Sequence, residues 1–256
     1  MATVADILQF IESIAPTELK AEWDNVGLLC GSMQKEVKKI LVALDPFTHV
    51  CQEAADWGAD LLVTHHPLIF QPLSAVTDET TVGRAVMTLL ANGIAAMNAH
   101  TNLDCADGGV NDTLAAALGL SNIEKVPADA EALLRQGNVA QQDLDTFLSH
   151  VKTALQCPGL RYVSGGKPVG KVAVGGGSCG SALYEVIAAG CDTFVTADVK
   201  YNQFHDAKVQ GINLIDAGHF CTENPVIPVL AKKLQAQFPA LTVKISQTHI
   251  DCMKYY

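Results

Sequence analysis

The chain has 256 residues, with 27 Asp plus Glu against 17 Lys plus Arg and a formal net charge of −10 at pH 7, which argues against a general nucleic-acid or anionic-membrane surface. Hydrophobic residues make up 49% and the mean hydropathy is +0.21. No uncharged apolar run reaches the ~18 to 20 residues of a membrane span, so the excess is expected in buried strands and helices. Eight cysteines occur without a C-x-x-C pair, against a zinc ribbon or a thioredoxin-type site, and fit small buried hydrophobes in a reducing compartment. The N-terminus carries neither a basic n-region nor a small-residue cleavage site, so the expected location is the cytoplasm.

Thr3 opens the first helix as N-cap, Asp6 completes a weak capping box, and Val4, Ile7, Leu8, Ile11 and Ile14 form the apolar stripe that Pro16 ends. Glu22-Trp23-Asp24-Asn25 then runs into an apolar strand. Asp24-Asn25 reads by default as a solvated turn, with a site role as the alternative. From Lys39 the pattern is β-α-β-α-β: strand Ile40 to Leu44, helix Val50 to Trp57, strand Asp60 to Thr64, a loop from Leu68 to Asp78, helix Val82 to Ala91 and strand Ile94 to Asn98. Strands separated by helices imply parallel pairing with right-handed crossovers.

The same grammar returns. Lys171-Val172-Ala173-Val174 resembles Lys39-Ile40-Leu41-Val42, and the run from Gly190 to Thr196 resembles that from Gly58 to Thr64. The pairs start at 39 and 171, and at 58 and 190, an offset of 132 both times, which implies an internal duplication. Gly211 to His219 echoes Gly93 to His100 with a one-residue shift. The expected class is α/β, two duplicated and intimately packed half-units over 1–127 and 128–256, with mixed or parallel sheets flanked by helices. Within 128–159 lie a polar, Gln-rich stretch from Gln136 to Gln142 and a short helical pattern from Leu144 to Leu155. Gly175 to Ser181, after a strand and before a helix, reads equally as a phosphate cradle or as a ligand-free tight turn.

His and carboxylate residues gather just past the strand ends. They are His65, His66, His100 and Asp104 in the first half, and Asp198, His219 and Glu223 in the second. Open α/β sheets place ligands at such ends. Nitrogen and oxygen donors in this proportion suit Zn, Fe, Mn, Co or Ni, and five or six of them exceed one tetrahedral site. Glu223 precedes Asn224-Pro225, an N-cap and N1 pair for a helix over Val226 to Leu234, and so reads as a turn residue; the bland alternative is that His219 caps a strand and Glu223 complements the helix dipole. His49, His150, His205 and His249 lack the strand-end placement and read as surface or packing residues.

Glu22 to Leu28, Thr64-His65-His66-Pro67, Ala99 to Asp104, Thr196 to Tyr201 and Asp216 to Glu223 together resemble motifs of the Nif-three-like proteins, also labelled GTP cyclohydrolase I type 2 homologues, over nearly the whole chain. The resemblance implies the Nif-three-like fold and a centre of two divalent ions per subunit, with His65, His66, Asp104, His219 and Glu223 as ligands and Glu223 bridging. It puts His100 beside the metals, as a ligand or just behind the ligands; in a hydrolase the catalytic proton shuttle would be His100 or a nearby carboxylate. It further implies a homohexamer, a trimer of dimers. The label suggests metal-dependent hydrolysis of a nucleotide or other small molecule, such as opening of the GTP purine ring with release of formate. The alternative is a non-enzymatic metal-carrying ring that binds a metabolite, protein or nucleic acid. Ala197 and Cys221 depart from the family's usual Gly and Ala, and Cys221 brings a soft donor near His219 and Glu223. The inserted third domain of many relatives has no room within 128–159.

Overall fold

The computed structural model describes residues 1–256. The chain divides into two compact units, Met1–Ala106 with Ile227–Ile250, and Asp107–Val226 with Asp251–Tyr256. This differs from two continuous halves meeting at 127 and 128. The C-terminal stretch returns to the first unit because a short strand in it, given below, joins that unit's sheet. No helix is long and apolar enough to cross a membrane.

In the first unit, α1 (Val4–Ile14) starts at Thr3, whose hydroxyl accepts from the Asp6 N–H at 3.3 Å while the Asp6 carboxylate accepts from the Thr3 N–H at 2.8 Å. This is the expected capping box. Then come β1 (Gly27–Cys30), β2 (Lys39–Ala43), α2 (Thr48–Trp57), β3 (Leu61–Thr64), α3 (Thr81–Ala91), β4 (Ala95–Asn98) and the five-residue α4 (Thr101–Cys105). β2, β3 and β4 pair in parallel, and β1 adds antiparallel to β4. Every residue of β3 and β4 is buried. Strands covered on both faces read as unbroken apolar runs, which is why no alternation marks them in the sequence.

The second unit holds α5 (Val110–Ala117), β5 (Ser121–Lys125), β6 (Arg135–Gln142), α6 (Leu144–Ala154), β7 (Arg161–Val163), β8 (Val169–Val174), α7 (Leu183–Ala188), β9 (Thr193–Thr196), α8 (Tyr201–Gln210), β10 (Asn213–Asp216) and the five-residue α9 (His219–Glu223). Its six strands run in the order β5-β6-β8-β9-β10-β7, with β8, β9 and β10 parallel. The Gln-rich stretch is strand β6. Its two buried polar residues are tolerated because they are bonded: Arg135 gives Nε to Asp112 at 2.7 Å, and Gln136 gives its amide to Glu124 at 2.7 Å. Helix α10 (Val226–Gln237) and strand β11 (Thr242–Ile245) complete the chain, β11 pairing in parallel with β2 so that the first sheet runs β1-β4-β3-β2-β11.

The duplication extends to strand register and side-chain bonding. Ile40 pairs with Leu61 and Val42 with Val63; Val172 pairs with Thr193 and Val174 with Val195, each shifted by 132 from its counterpart. Asp60 accepts from the backbone N–H groups of Lys38 and Lys39, and Asp192 from those of Gly170 and Lys171. Lys39 Nζ donates to the Trp57 carbonyl and Lys171 Nζ to the Ala189 carbonyl. In each unit, the third parallel strand is followed at once by a single helical turn.

Candidate metal centre

Each unit gathers its candidate ligands at the C-terminal ends of its parallel strands, where side chains leave the sheet and helix turns begin. In the first unit, His65 and His66 follow the last residue of β3, and His100 is the N-cap of α4. Ligand nitrogens of these three histidines lie within 4.8 Å of one another, so the group could hold a metal ion. Asp104, four residues beyond His100 and so on the same face of that turn, places Oδ1 3.6 Å from His65 Nε2. In the second unit, His219 and Glu223 open and close α9, again at i and i+4, with His219 Nε2 3.0 Å from Glu223 Oε2. Glu223 is therefore a helical residue and not a turn residue. One turn of helix is what aims it along with His219.

The strongest regularity is at the other ring nitrogen. His65 Nδ1 is 2.9 Å from the Ala99 carbonyl, His66 Nδ1 is 2.7 Å from Asp45, His100 Nδ1 is 2.8 Å from Asp24, and His219 Nδ1 is 2.7 Å from Asp198. A carbonyl or carboxylate oxygen only accepts, so Nδ1 carries the proton in each case. The neutral ring is then left with its lone pair on Nε2. Four imidazoles fixed in one tautomer by an outer oxygen are the arrangement of metal-ligating histidines. At His219 the Nε2 lone pair and a carboxylate oxygen 3.0 Å apart call for a proton or a cation between them. The donor set thus fits a divalent metal.

Of the outer acids, Asp198 is among the strand-end residues, Asp24 reads in the sequence as a turn with a site role as the alternative, and Asp45 is not singled out there. Asp24 is buried, and besides His100 it accepts from the Thr101 N–H at 3.0 Å and hydroxyl at 2.5 Å. Burial pushes its pKa up, but the bonds from His100 and Thr101 outweigh this and hold it well below the usual carboxylate range. The solvated-turn reading of Asp24 is therefore corrected. Asp45 accepts from His66 and, at 2.9 Å, from His249 Nε2; burial raises its pKa and the two histidines lower it further than that. His249, read as a surface or packing residue, has a side chain only 4% exposed and completes this chain of bonds. Asp45 stands just past the end of β2, so the strand-end criterion could have found it. His249 follows β11, a strand the sequence reading did not recognise. Asp198 orients His219 from a left-handed backbone (φ 51°).

In the glycine turn, the first glycines are committed to contacts within the protein. The N–H groups of Gly175, Gly176 and Gly177 are used by the Val195 carbonyl, Asn111 Oδ1 and Thr222 Oγ1, and that of Cys179 by Gly177 and Thr196. These four donors are spent within the protein and are not available to an anion. A Cβ on Gly177 would fall 2.2 Å from Glu223 Oε1, so the turn is bare because Glu223 lies against it. Cys221 faces the apolar cluster of the second unit and shares a hydrogen bond with Cys157, which raises the Cys157 pKa and lowers that of Cys221.

The family model for Duf34/NIF3 (NGG1p interacting factor 3) matches residues 2–253. The GTP cyclohydrolase 1 type 2 homolog of Clostridium perfringens is 36% identical over 236 residues, covering 90% of each chain. That of Streptomyces coelicolor is 37% identical over 238 residues, covering 88% of this chain and 83% of its own. Among solved structures, a Bacillus cereus protein related to NIF3 superposes with a TM-score of 0.93 at 26% identity, over 100% of this chain and 99% of that one. HcgD from Methanocaldococcus jannaschii, in the structure described as reduced, gives 0.83 at 30% identity over 96% and 98%.

Proposed function

This chain belongs to the Duf34/NIF3 family, and on that premise we propose that it is a dinuclear divalent-metal protein acting as a metal-dependent hydrolase. His65, His66, Asp104, His219 and Glu223 would hold the ions. The observation that carries the reading is the common fixing of four imidazoles through Nδ1, which leaves four Nε2 lone pairs as donors. When bound, two such ions supply Lewis-acid polarisation and lower the pKa of water toward neutrality. His100 moves the proton at Nε2, and Asp24 stabilises the ring in the charged form it passes through.

The name carried by the relatives points to GTP as one substrate to assay. The test is to measure metal content of protein purified without chelator, then formate release from GTP and phosphate release from mono- and diesters with Mn, Fe, Co or Zn restored. Two ions per chain and turnover that His219→Ala abolishes are expected. Protein that holds both ions and turns over none of these is a metal-carrying scaffold instead. A mass of six chains in solution, by light scattering, is expected for the proposed trimer of dimers.

A further inference from the structure

Two large aromatic side chains stand beside the first unit's histidines with much of their surface in solvent. Trp23 is 63% exposed and Phe70 43%. Their rings meet edge to face at 5.8 Å, and each contacts the His100 ring, at 6.2 and 6.3 Å. His100 in turn lies 5.2 Å from the His65 ring and 5.4 Å from that of His66. The aromatic pair is thus continuous with the histidine group. Aromatic side chains beside a few convergent polar groups are the usual lining of a small-molecule site.

The pair is mounted rigidly. Next to Trp23, Asp24 is locked to His100 and Thr101. Lys20 Nζ donates to the Asp24 carbonyl at 2.8 Å, and the Ala21 N–H to Thr101 Oγ1 at 2.9 Å. Asn25 Nδ2 donates to the Ile69 carbonyl at 2.6 Å, tying the two aromatic-bearing segments together, and Asn98 Nδ2 donates to the Asn25 carbonyl at 3.1 Å, tying both to β4. Little ordering entropy is left to lose when a ligand arrives.

We propose that Trp23 and Phe70 form an angled stacking site for a planar heteroaromatic ring of the substrate, which lies on the face of one, meets the edge of the other and presents its own edge to His100. This rests on the hydrolase reading above and names its substrate class. A bare phosphate gains little from an aromatic face and a ribose offers only its small C–H surface, whereas a nucleobase-like ring stacks over its whole π face. The platform therefore selects a class of ring. Choice within the class falls to other contacts.

The chain has two tryptophans, so Trp57→Phe makes Trp23 the sole indole. In that background GMP and ribose 5-phosphate are titrated against intrinsic fluorescence, with and without added Zn. Saturable quenching by GMP is expected, with ribose 5-phosphate binding at least about fivefold more weakly. Phe70→Ala is expected to weaken GMP by about 5- to 150-fold, the range for loss of one stacking partner, and Phe70→Tyr to restore it. Metal content in Trp23→Ala and Phe70→Ala is expected to match the parent. Equal response to the two probes, including none to either, overturns the platform. So does unchanged GMP affinity in Phe70→Ala accompanied by a lower oligomeric mass, which would make the pair a contact between copies. Absence of bound metal or of turnover would defeat the hydrolase reading, but ring selectivity measured without metal reads the platform alone.

Discussion

Gly177→Ala is the most direct test of what positions Glu223. The new Cβ would lie 2.2 Å from Glu223 Oε1 and 3.2 Å from His219 Cε1, where ordinary contact begins at 3.4 Å. The carboxylate must therefore retreat by about 1.2 Å, the difference between 3.4 and 2.2 Å. Its backbone cannot follow, because it lies within α9 and the neighbouring Thr222 hydroxyl is held by the Gly177 N–H. Gly177 also sits at φ +63°, which costs an L-residue about 1–2 kcal/mol. Gly190 isolates that term, since it lies at φ +74° in the same unit with nothing within 4 Å of an added Cβ. Gly190→Ala should cost about 1–2 kcal/mol, and Gly177→Ala about 1–3 kcal/mol more from overpacking. Thermal unfolding of metal-free protein should separate the variants, at about 2–4 °C per kcal/mol. Calorimetric titration should show Gly177→Ala, and not Gly190→Ala, binding Zn about 10- to 100-fold more weakly, the range for disturbed outer support of a ligand. If the two variants melt together and bind metal alike, the close approach is not what holds Glu223.

Asp45→Asn should weaken metal binding by about 10- to 100-fold in the same titration, because the carboxylate that fixes His66 is lost; an unchanged isotherm would show that His66 needs no such support. Glu53, on α2, binds Ser246, Gln247 and Thr248 beyond β11; burial pushes its pKa up, but these bonds bring it from 4.5 to about 2. A depressed carboxylate stabilises fully above its unfolded value and loses that contribution as pH falls through the folded one. Glu53→Gln should therefore cost about 1–2 kcal/mol at pH 7, a gap that melting curves should show closing between pH 4.5 and about 2; a pH-independent gap would contradict this. Asp60→Ala and Asp192→Ala remove matched pairs of backbone bonds and should each cost about 1–2 kcal/mol; unequal losses beyond that spread, read by thermal melts, would show that the repeated geometry is not repeated in energy.

Much of the architecture is legible because buried parallel strands announce themselves as short apolar runs between glycines, and because the repeat fixes their register twice. What stayed hidden did so for physical reasons. β6 is polar yet buried at Arg135 and Gln136, since partners satisfy those groups and hydrophobicity no longer tracks burial. β11 has four residues and none fully buried, so nothing marked the return of the chain to the first unit. Of the site, the strand-end histidines were visible as residue types with an obvious chemistry. Asp24, Asp45 and His249 act through other side chains and resemble turn or surface residues until the bonds to them are seen.

The repeat also shows how two copies of one unit come to supply different chemistry. At the offset of 132, His65 and His66 correspond to Ala197 and Asp198, and Asp45 corresponds to Gly177. In the first unit the position after the first parallel strand is an acid that holds a histidine in its tautomer. In the second the same position is bare, which admits the Glu223 carboxylate. The acid has moved to the position of His66, where Asp198 holds His219. The two changes depend on each other: an acid at 177 would collide with and repel Glu223, and a glycine at 45 would leave His66 without the oxygen that fixes its tautomer. Exchanging the residues singly should therefore damage either unit, because each copy has settled on its own consistent set. The first copy uses the position after its first parallel strand for an acid that backs a histidine, and the second leaves it bare for a carboxylate and backs its histidine from the next strand.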